Sequence, residues 1–170
     1  PEGGKKALVR KLESYFDFAE NDYMYFQECY KAGMVFNQMG AIAQGICEKY
    51  MKHIVEEYVV PDSDEEYNEK ERVLRTHSLT RLMRYIQENL PEFQVDRQKL
   101  RIIDGLYFAT RYPGDDSISI GKEELDECQD AVLECREKTV CFMEAQKQRS
   151  PARQEELAQD MARLPGRPNG

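Results

Sequence analysis

Residues 34–58 read MVFNQMGAIAQGICEKYMKHIVEEY, and this stretch decides the fold. Its apolar residues recur at steps of three and four, which is the spacing that places side chains on one face of a helix. A cysteine and a methionine widen that face, whose members are Val35, Met39, Ile42, Ala43, Ile46, Cys47, Tyr50, Met51, Ile54 and Tyr58. Because so wide a stripe needs neighbours on several sides, we predict that this helix lies at the centre of a helical bundle.

Four further amphipathic stretches surround this central helix in the sequence. The same spacing predicts helices over residues 5–32, 78–89, 96–111 and 122–148. Pro61 ends the central helix, and six acidic residues lie within residues 62–71, so this connection is predicted to be a solvated loop. No strand-like alternation of useful length is found.

These elements predict an all-α protein, an antiparallel up-and-down bundle of about five helices. A length of 170 residues fits one domain. We assign residues 1–149 to the bundle and residues 150–170 to a loosely attached tail, since the chain closes with the turn-forming run PGRPNG.

Composition excludes several classes of function. A net charge of −8 disfavours wholesale binding of duplex DNA, which requires many cationic contacts to phosphates. No apolar run is long enough to span a membrane, and the first residues lack the apolar core of a signal peptide. The five cysteines form no C-x-x-C pair, which favours reduced thiols in a cytoplasmic protein with no metal site. We also expect no cofactor.

His77 is one of only two histidines and precedes the predicted third helix. Either Ser78 or Thr76 can cap that helix through its side-chain oxygen. A neutral imidazole at this position could act as a proton acceptor, or His77 could be a surface residue that packs against a neighbouring helix. Arg72 precedes His77 with four residues between them, and an Arg–His pair can cleave RNA without a metal, although so short a pairing also arises by chance.

Other candidates for phosphate binding lie at the end of the fourth helix and in the central helix. Arg111 can hold a phosphate bidentately, and Tyr112 can offer a stacking face; alternatively they only end the helix and cover the core. Lys49 is a candidate phosphate ligand or an exposed residue. His53 lies among charged neighbours and is predicted to be solvated.

The order of four short motifs is similar to that of a known family. FAENDYMYF (residues 18–26) is followed by AIAQGICEKYMKHI (41–54), HSLTRLM (77–83) and GLYFATRYPG (105–114). Over residues 14–146 the chain resembles the HEPN domain family, named for its higher-eukaryote and prokaryote nucleotide-binding members. The resemblance implies a helical bundle, often dimeric, whose members include ribonuclease toxins, partners of minimal nucleotidyltransferases and inactive RNA- or nucleotide-binding versions.

By this resemblance, Glu48, Lys49, His77, Arg111 and Tyr112 become the expected site residues. Nuclease members carry an Arg followed after four to six residues by His on the later part of the bundle. No histidine follows Arg111, and only the earlier pair that ends in His77 has this spacing.

Three hypotheses follow. The first is a non-catalytic, cytoplasmic, prokaryotic-type domain that binds a nucleotide or an RNA phosphate near Lys49, His77, Arg111 and Tyr112. It would act as a homodimer or with a nucleotidyltransferase or antitoxin partner, as in a toxin–antitoxin pair. The second is a metal-independent ribonuclease that uses Arg72 and His77. The third is a structural interaction module without a ligand, in which the candidate residues are scattered.

Overall fold

The computed structural model describes residues 11–163, with side chains through residue 149. In this part of the chain every regular element is a helix, so the predicted all-α bundle is confirmed. The helices are α1 (Tyr15–Lys31), α2 (Asn37–Tyr58), α3 (Asp64–Leu74), α4 (Leu79–Asn89), α5 (Arg97–Ile103), α6 (Leu106–Ala109) and α7 (Lys122–Arg163).

The central position of α2 is confirmed by burial on nearly all of its sides. Its fully buried side chains belong to the predicted apolar face and to its flanks: Ala43, Ile46, Cys47, Tyr50, Met51, Ile54 and Val55. α2 packs against α1, α4, α6 and α7. At Gly40 an added Cβ would lie only 3.0 Å from side-chain atoms of Thr110 and Ile120, so the segments that flank the 111–119 loop approach α2 closely at this point.

Side-chain contacts give the direction of the long helices. Glu20, early in α1, accepts hydrogen bonds from Tyr50, late in α2, and from Arg136 in α7. Gln27, late in α1, pairs with Gln129, early in α7. α1 therefore runs antiparallel to both α2 and α7, and these two helices run parallel to each other.

The start of α1 differs from the prediction of a helix from residue 5. Residues 11–14 are not helical, and residues 5–10 lie outside the described part. Ser14 and Asp17 form a capping box, in which the Ser14 hydroxyl accepts from the Asp17 amide and the Asp17 carboxylate accepts from the Ser14 amide. This cap makes Tyr15 the first residue of α1, because it satisfies the free backbone amides at the start of the helix.

The prediction of a loop over residues 59–71 is wrong, because α3 begins within this stretch, at Asp64, and continues to Leu74. Ser63 caps the helix by accepting from the Glu66 amide, and Asp64, Glu65 and Glu66 occupy its first turn. Acidic side chains are favourable at this end of a helix, where the backbone dipole is positive. The acidic run that suggested a solvated loop therefore marks the start of an exposed helix.

The predicted fourth helix, 96–111, is divided into α5 and α6. Gly105 stands between them with a φ of 98°, a left-handed conformation that ends a helix easily only at glycine. Asp104, the last residue before this break, turns its carboxylate toward the start of α4. The break therefore separates α6 from α5. It also leaves Asp104 outside both helices, where its carboxylate binds the first backbone amides of α4.

The last helix is longer than predicted. The backbone of α7 stays helical to Arg163, beyond the predicted end at residue 148. The predicted loosely attached tail spans residues 150–170. The structure describes only the backbone of residues 150–163, and residues 164–170 lie outside the described part. No helix in residues 11–163 combines the length and the hydrophobicity needed to cross a bilayer.

The prediction for His53 is also wrong. Its side chain is buried, packing against the rings of Phe16 and Tyr58, with 7% of the residue's surface exposed. α2 is central enough that Lys52 and His53, on its more polar side, are also buried, whereas Glu56 and Glu57 near its end are exposed. Burial lowers the pKa of His53, although nearby Glu57 and Asp17 act in the opposite direction.

Candidate functional site

His77 lies in the short connection between α3 and α4, directly before the helix cap. Ser78 is the N-cap of α4, since its hydroxyl accepts from the Arg81 amide. Thr76, the other candidate cap, instead accepts from the Ser78 amide. The His77 ring is therefore outside the helix, and its side chain is 53% exposed.

A buried carboxylate holds the inner edge of the His77 ring. Both carboxylate oxygens of Glu48 lie 3.2 Å from His77 Nδ1. Glu48 also accepts from Lys52 Nζ at 2.7 Å, one turn further along α2, and these two side chains are only 10% and 7% exposed. In the tautomer in which Nδ1 donates to Glu48, Nε2 is the acceptor, and it has no hydrogen bond among the described residues.

Two aromatic rings of α6 lie against the imidazole. The Tyr107 ring is parallel to it within 1°, with centroids 5.4 Å apart, and the Phe108 ring meets it edge-on at 6.4 Å. The two α6 rings are themselves nearly perpendicular. Phe108 is 57% exposed, so the cluster presents an aromatic surface to solvent.

Gln44 sets the distance between the two segments that carry these rings. Its side-chain amide donates to the His77 carbonyl at 2.8 Å and accepts from the Tyr107 amide at 2.7 Å. Gln44 is almost completely buried in α2. A buried amide with both of its polar ends satisfied is a rigid bridge, so the stacking of the rings is fixed through the backbone.

Arg111 reaches the same tyrosine. Its guanidinium lies 4.7 Å from the centroid of the Tyr107 ring, which is within the range of a cation–π contact. His77 and Arg111 therefore share an aromatic neighbour, Tyr107. Tyr112 is 58% exposed and, with Arg111, lines a neighbouring polar cleft of about 240 Å³ beside the 113–119 loop.

Lys49 and Arg72 have other surroundings. Lys49 pairs with Asp22 of α1 at 2.8 Å, whereas the preceding residue, Glu48, contacts His77. Arg72 donates to the Asn68 carbonyl within α3, and no contact joins it to His77 among the described residues. Consecutive residues on a helix point about 100° apart, which explains why only one member of the Glu-Lys pair reaches the site.

The start of α4 is already occupied by a carboxylate. Asp104 accepts from the backbone amides of Leu79 and Thr80 at 2.9 and 3.0 Å and from the Ser78 hydroxyl. These amides would otherwise attract an anion. A phosphate near His77 would therefore be bound by side chains instead of these amides. Arg111, which contacts the Tyr107 ring, can supply the positive charge.

We call the cluster of Glu48, His77, Tyr107, Phe108 and Arg111 the His77 site. Sequence patterns missed its two rings from α6 and the Gln44 bridge. Tyr107 lies one turn before Arg111 in the same motif, and that spacing was the available signal. Gln44 gave no signal, because a lone glutamine within an apolar stripe is compatible with many environments.

Three of the five cysteines are buried, whereas Cys29 is half-buried and Cys141 is exposed. Cys47, Cys128 and Cys135 are fully buried, and burial raises the pKa of Cys128 to about 12, which suppresses its thiolate. In the described part of the chain, no group of three or more His, Cys, Asp or Glu side chains could hold a metal ion.

Comparison with known proteins tests the resemblance. Neither the curated proteins nor the solved structures searched contain a match to the chain. Residues 67–146 match the family model of the HEPN domain, a segment that begins within α3 and ends within α7. It contains His77, Tyr107, Phe108 and Arg111, whereas Glu48 and Gln44 come from α2, outside it. The match covers less than half of the 170 residues, and over residues 67–146 it agrees with the resemblance to the HEPN domain family.

Proposed function

We propose that the His77 site binds a phosphate-bearing nucleotide, free or as a unit of RNA. The observation that carries the proposal is the contact of both His77 and Arg111 with the Tyr107 ring, on a partly exposed surface. An aromatic platform beside a guanidinium matches the two parts of a nucleotide, because the base can stack and the phosphate can accept from Arg.

Three features support binding through preformed geometry. Gln44 fixes the spacing of the two segments, Glu48 orients the imidazole, and Asp104 anchors the start of α4. A site whose groups are already held loses less conformational freedom when a ligand binds. His77 Nε2, Phe108 and Arg111 are the parts available to the ligand.

The test is calorimetric titration of the full chain with a panel of nucleotides and short RNAs. Arg111→Gln should weaken binding by about tenfold or more, since a charge-assisted hydrogen bond contributes about 1.5–3 kcal/mol and 1.4 kcal/mol is tenfold. Phe108→Ala should weaken it through loss of stacking. The matched control is Arg149→Gln, which removes an exposed positive charge on α7.

If Arg111→Gln and Arg149→Gln weaken ligand binding equally, the loss reflects the net charge of the protein and not a contact at the His77 site. A panel in which no ligand binds the wild-type chain would favour the interaction-module hypothesis instead. Circular dichroism must show that each variant retains its helical content.

A second candidate is metal-independent RNA cleavage, favoured by the carboxylate on His77 Nδ1. In that reaction His77 Nε2 takes the proton of a 2′-hydroxyl, whose oxygen attacks the adjacent phosphorus. The 5′-oxygen leaves and is protonated by water, while a guanidinium stabilises the charged phosphorus centre. Arg111, rather than Arg72, lies beside the imidazole's neighbour Tyr107 for this role.

Degradation of RNA in the presence of EDTA, lost in His77→Ala, would support the cleavage candidate over simple binding. Binding without degradation would leave the non-catalytic proposal as the function of this site.

A further inference from the structure

A small cleft between α4 and α5 is lined by arginine side chains. One arginine comes from α4 and two come from α5. The other three lining residues, two polar and one apolar, come from α4. The full lining is Thr80, Met83, Arg84, Gln87, Arg97 and Arg101. No residue of the His77 site contributes to it.

The three arginines have no acidic partner among the described residues, although Asp and Glu outnumber Lys and Arg by 32 to 24 in this chain. The ion pairs of the described part include none made by Arg84, Arg97 or Arg101. Arg97 and Arg101 stand one turn apart on α5, a spacing at which like charges repel. In an acidic protein, such a concentration of uncompensated positive charge indicates an anionic ligand.

The carboxylates next to the cleft in the sequence have other partners. Asp96 caps α5 by accepting from the Gln98 and Lys99 amides. Asp104 accepts from the amides at the start of α4. Their capping roles hold both side chains at helix ends, so they do not pair with the arginines.

One arginine is held in place by an uncharged neighbour. Arg97 donates through Nη2 to the Gln87 side-chain oxygen. A guanidinium carries five donors, so this bond orients the group and leaves donors for an oxyanion. The Thr80 hydroxyl, on the same wall, adds a neutral hydrogen-bonding group.

The size of the cleft limits what can enter it. Its volume is about 80 Å³, and the cleft is partly open to solvent. It therefore suits a compact group such as a phosphate, with the rest of a larger ligand lying outside it. Guanidinium groups match the oxygens of a phosphate in both charge and geometry.

We propose that this arginine cleft binds a phosphate group, carried by inorganic phosphate, by diphosphate or by the terminal phosphate of a nucleotide. The arginine cleft is independent of the proposed function of the His77 site, because the two share no residue. It would anchor the phosphate end of a ligand or respond to the free anion.

The experiment is calorimetric titration of the full chain with inorganic phosphate and with inorganic diphosphate. Wild-type protein should bind saturably, and Arg111→Gln, which removes the phosphate ligand of the His77 site, should still bind one anion. Diphosphate should bind more tightly than phosphate because it carries more charge. The variant Arg97→Gln/Arg101→Gln should weaken binding at least tenfold. Arg75→Gln/Arg149→Gln, which removes two exposed charges elsewhere, should bind like wild type.

His77→Ala separates this site from the other one. It should leave phosphate binding unchanged while it weakens nucleotide binding at the His77 site. The source of the phosphate follows from adding a nucleoside 5′-diphosphate to Phe108→Ala/Arg111→Gln, which lacks the exposed ring and the cation of the His77 site. Affinity equal to that of diphosphate supports recognition of the phosphate alone, and higher affinity supports a nucleotide as the carrier.

Two results would overturn the proposal. One is the lack of saturable phosphate or diphosphate binding by the wild-type chain. The other is equal weakening by the cleft variant and the charge-matched control. Arg97→Lys/Arg101→Lys guards against a folding defect, since it keeps the charge and should bind with intermediate affinity if the variant chain is folded.

Discussion

The two histidines of this chain occupy opposite environments. His53 is part of α2, and His77 contacts α2 through Glu48. His77 is half exposed, has a buried carboxylate on one nitrogen and lies parallel to a tyrosine ring. His53 is buried between aromatic rings, and its Nδ1 has no hydrogen-bond partner among the described residues. The imidazole near solvent is thus the oriented one, whereas the buried imidazole acts as a packing group.

This difference teaches where α2 supports function. Its face toward α4 and α6 carries Gln44 and Glu48, whose polar ends are all directed at the ring-bearing segments. Its face toward the start of α1 carries His53, which only fills space. The sharpest way to break the comparison is therefore to change the polar residues of α2.

Removal of the Glu48 carboxylate should have the largest effect. Glu48→Ala leaves the Lys52 ammonium buried without a partner, which should cost about 3–5 kcal/mol of unfolding free energy. Urea denaturation measures this loss. The neighbouring Lys49→Ala removes a partner of a half-exposed pair and should cost less than about 1 kcal/mol.

The double variant Glu48→Leu/Lys52→Leu completes this test. Replacing both charges with apolar side chains should restore most of the stability, since neither charge is then left without a partner. A Glu48→Ala protein as stable as Lys49→Ala would contradict the buried arrangement.

Removal of the Gln44 bridge should have the second-largest effect. Gln44→Leu leaves the His77 carbonyl and the Tyr107 amide without their partner, at a cost of about 1–3 kcal/mol for each unsatisfied group that stays buried. It should also weaken nucleotide binding, because the rings lose their fixed spacing. Thermal unfolding and calorimetry measure the two effects.

Gln27→Leu is the matched control for the bridge. It breaks the reciprocal amide pair with Gln129 on another side of the bundle and should lower stability alone. If both glutamine variants retain full ligand affinity, the spacing set by Gln44 does not matter for binding.

The smallest expected effect sharpens the comparison through pH. Burial lowers the pKa of His53 from its usual 6.5, so below pH 6.5 the unfolded chain binds this proton more readily than the folded chain does. The contribution of neutral His53 is complete above pH 6.5 and is lost as the pH falls toward the lowered pKa. His53→Leu should therefore lose less stability than wild type between pH 7 and pH 5.

Urea denaturation across that pH range gives the difference between the two proteins. Parallel loss of stability in wild type and His53→Leu would show that His53 is not the buried group that resists protonation.

The sequence predicted the parts of the fold that depend on periodic hydrophobicity. The wide stripe of residues 34–58 predicted the central helix, and the spacing after Ser78 predicted α4 to within one residue. It failed where a cap, a charge or a glycine, rather than the spacing of apolar residues, decides where a helix begins or ends. The break after Asp104 and the helix after Ser63 depend on caps and on charge placement, which periodicity does not record.

The site was predicted in outline only. His77 and Arg111 were identified as neighbours, but the surface that joins them comes from Tyr107, which the motif comparison did not single out. The family resemblance indicates both Glu48 and Lys49, and of the two the cation is the expected phosphate ligand. The helix turns Glu48 toward His77 instead, and such an orientation follows from packing between segments far apart in the sequence.

Gln44 and Asp104 together have a consequence for local unfolding. One ties His77 to Tyr107, and the other ties Ser78 and the next two residues to the end of α5. Residues 77–107, which include α4 and α5, thus form a segment whose two ends are joined by buried or half-buried side chains. Such a segment opens as one cooperative unit, so the backbone amides of Leu79, Thr80 and Tyr107 would exchange their hydrogens together, well apart in the chain yet governed by a single event.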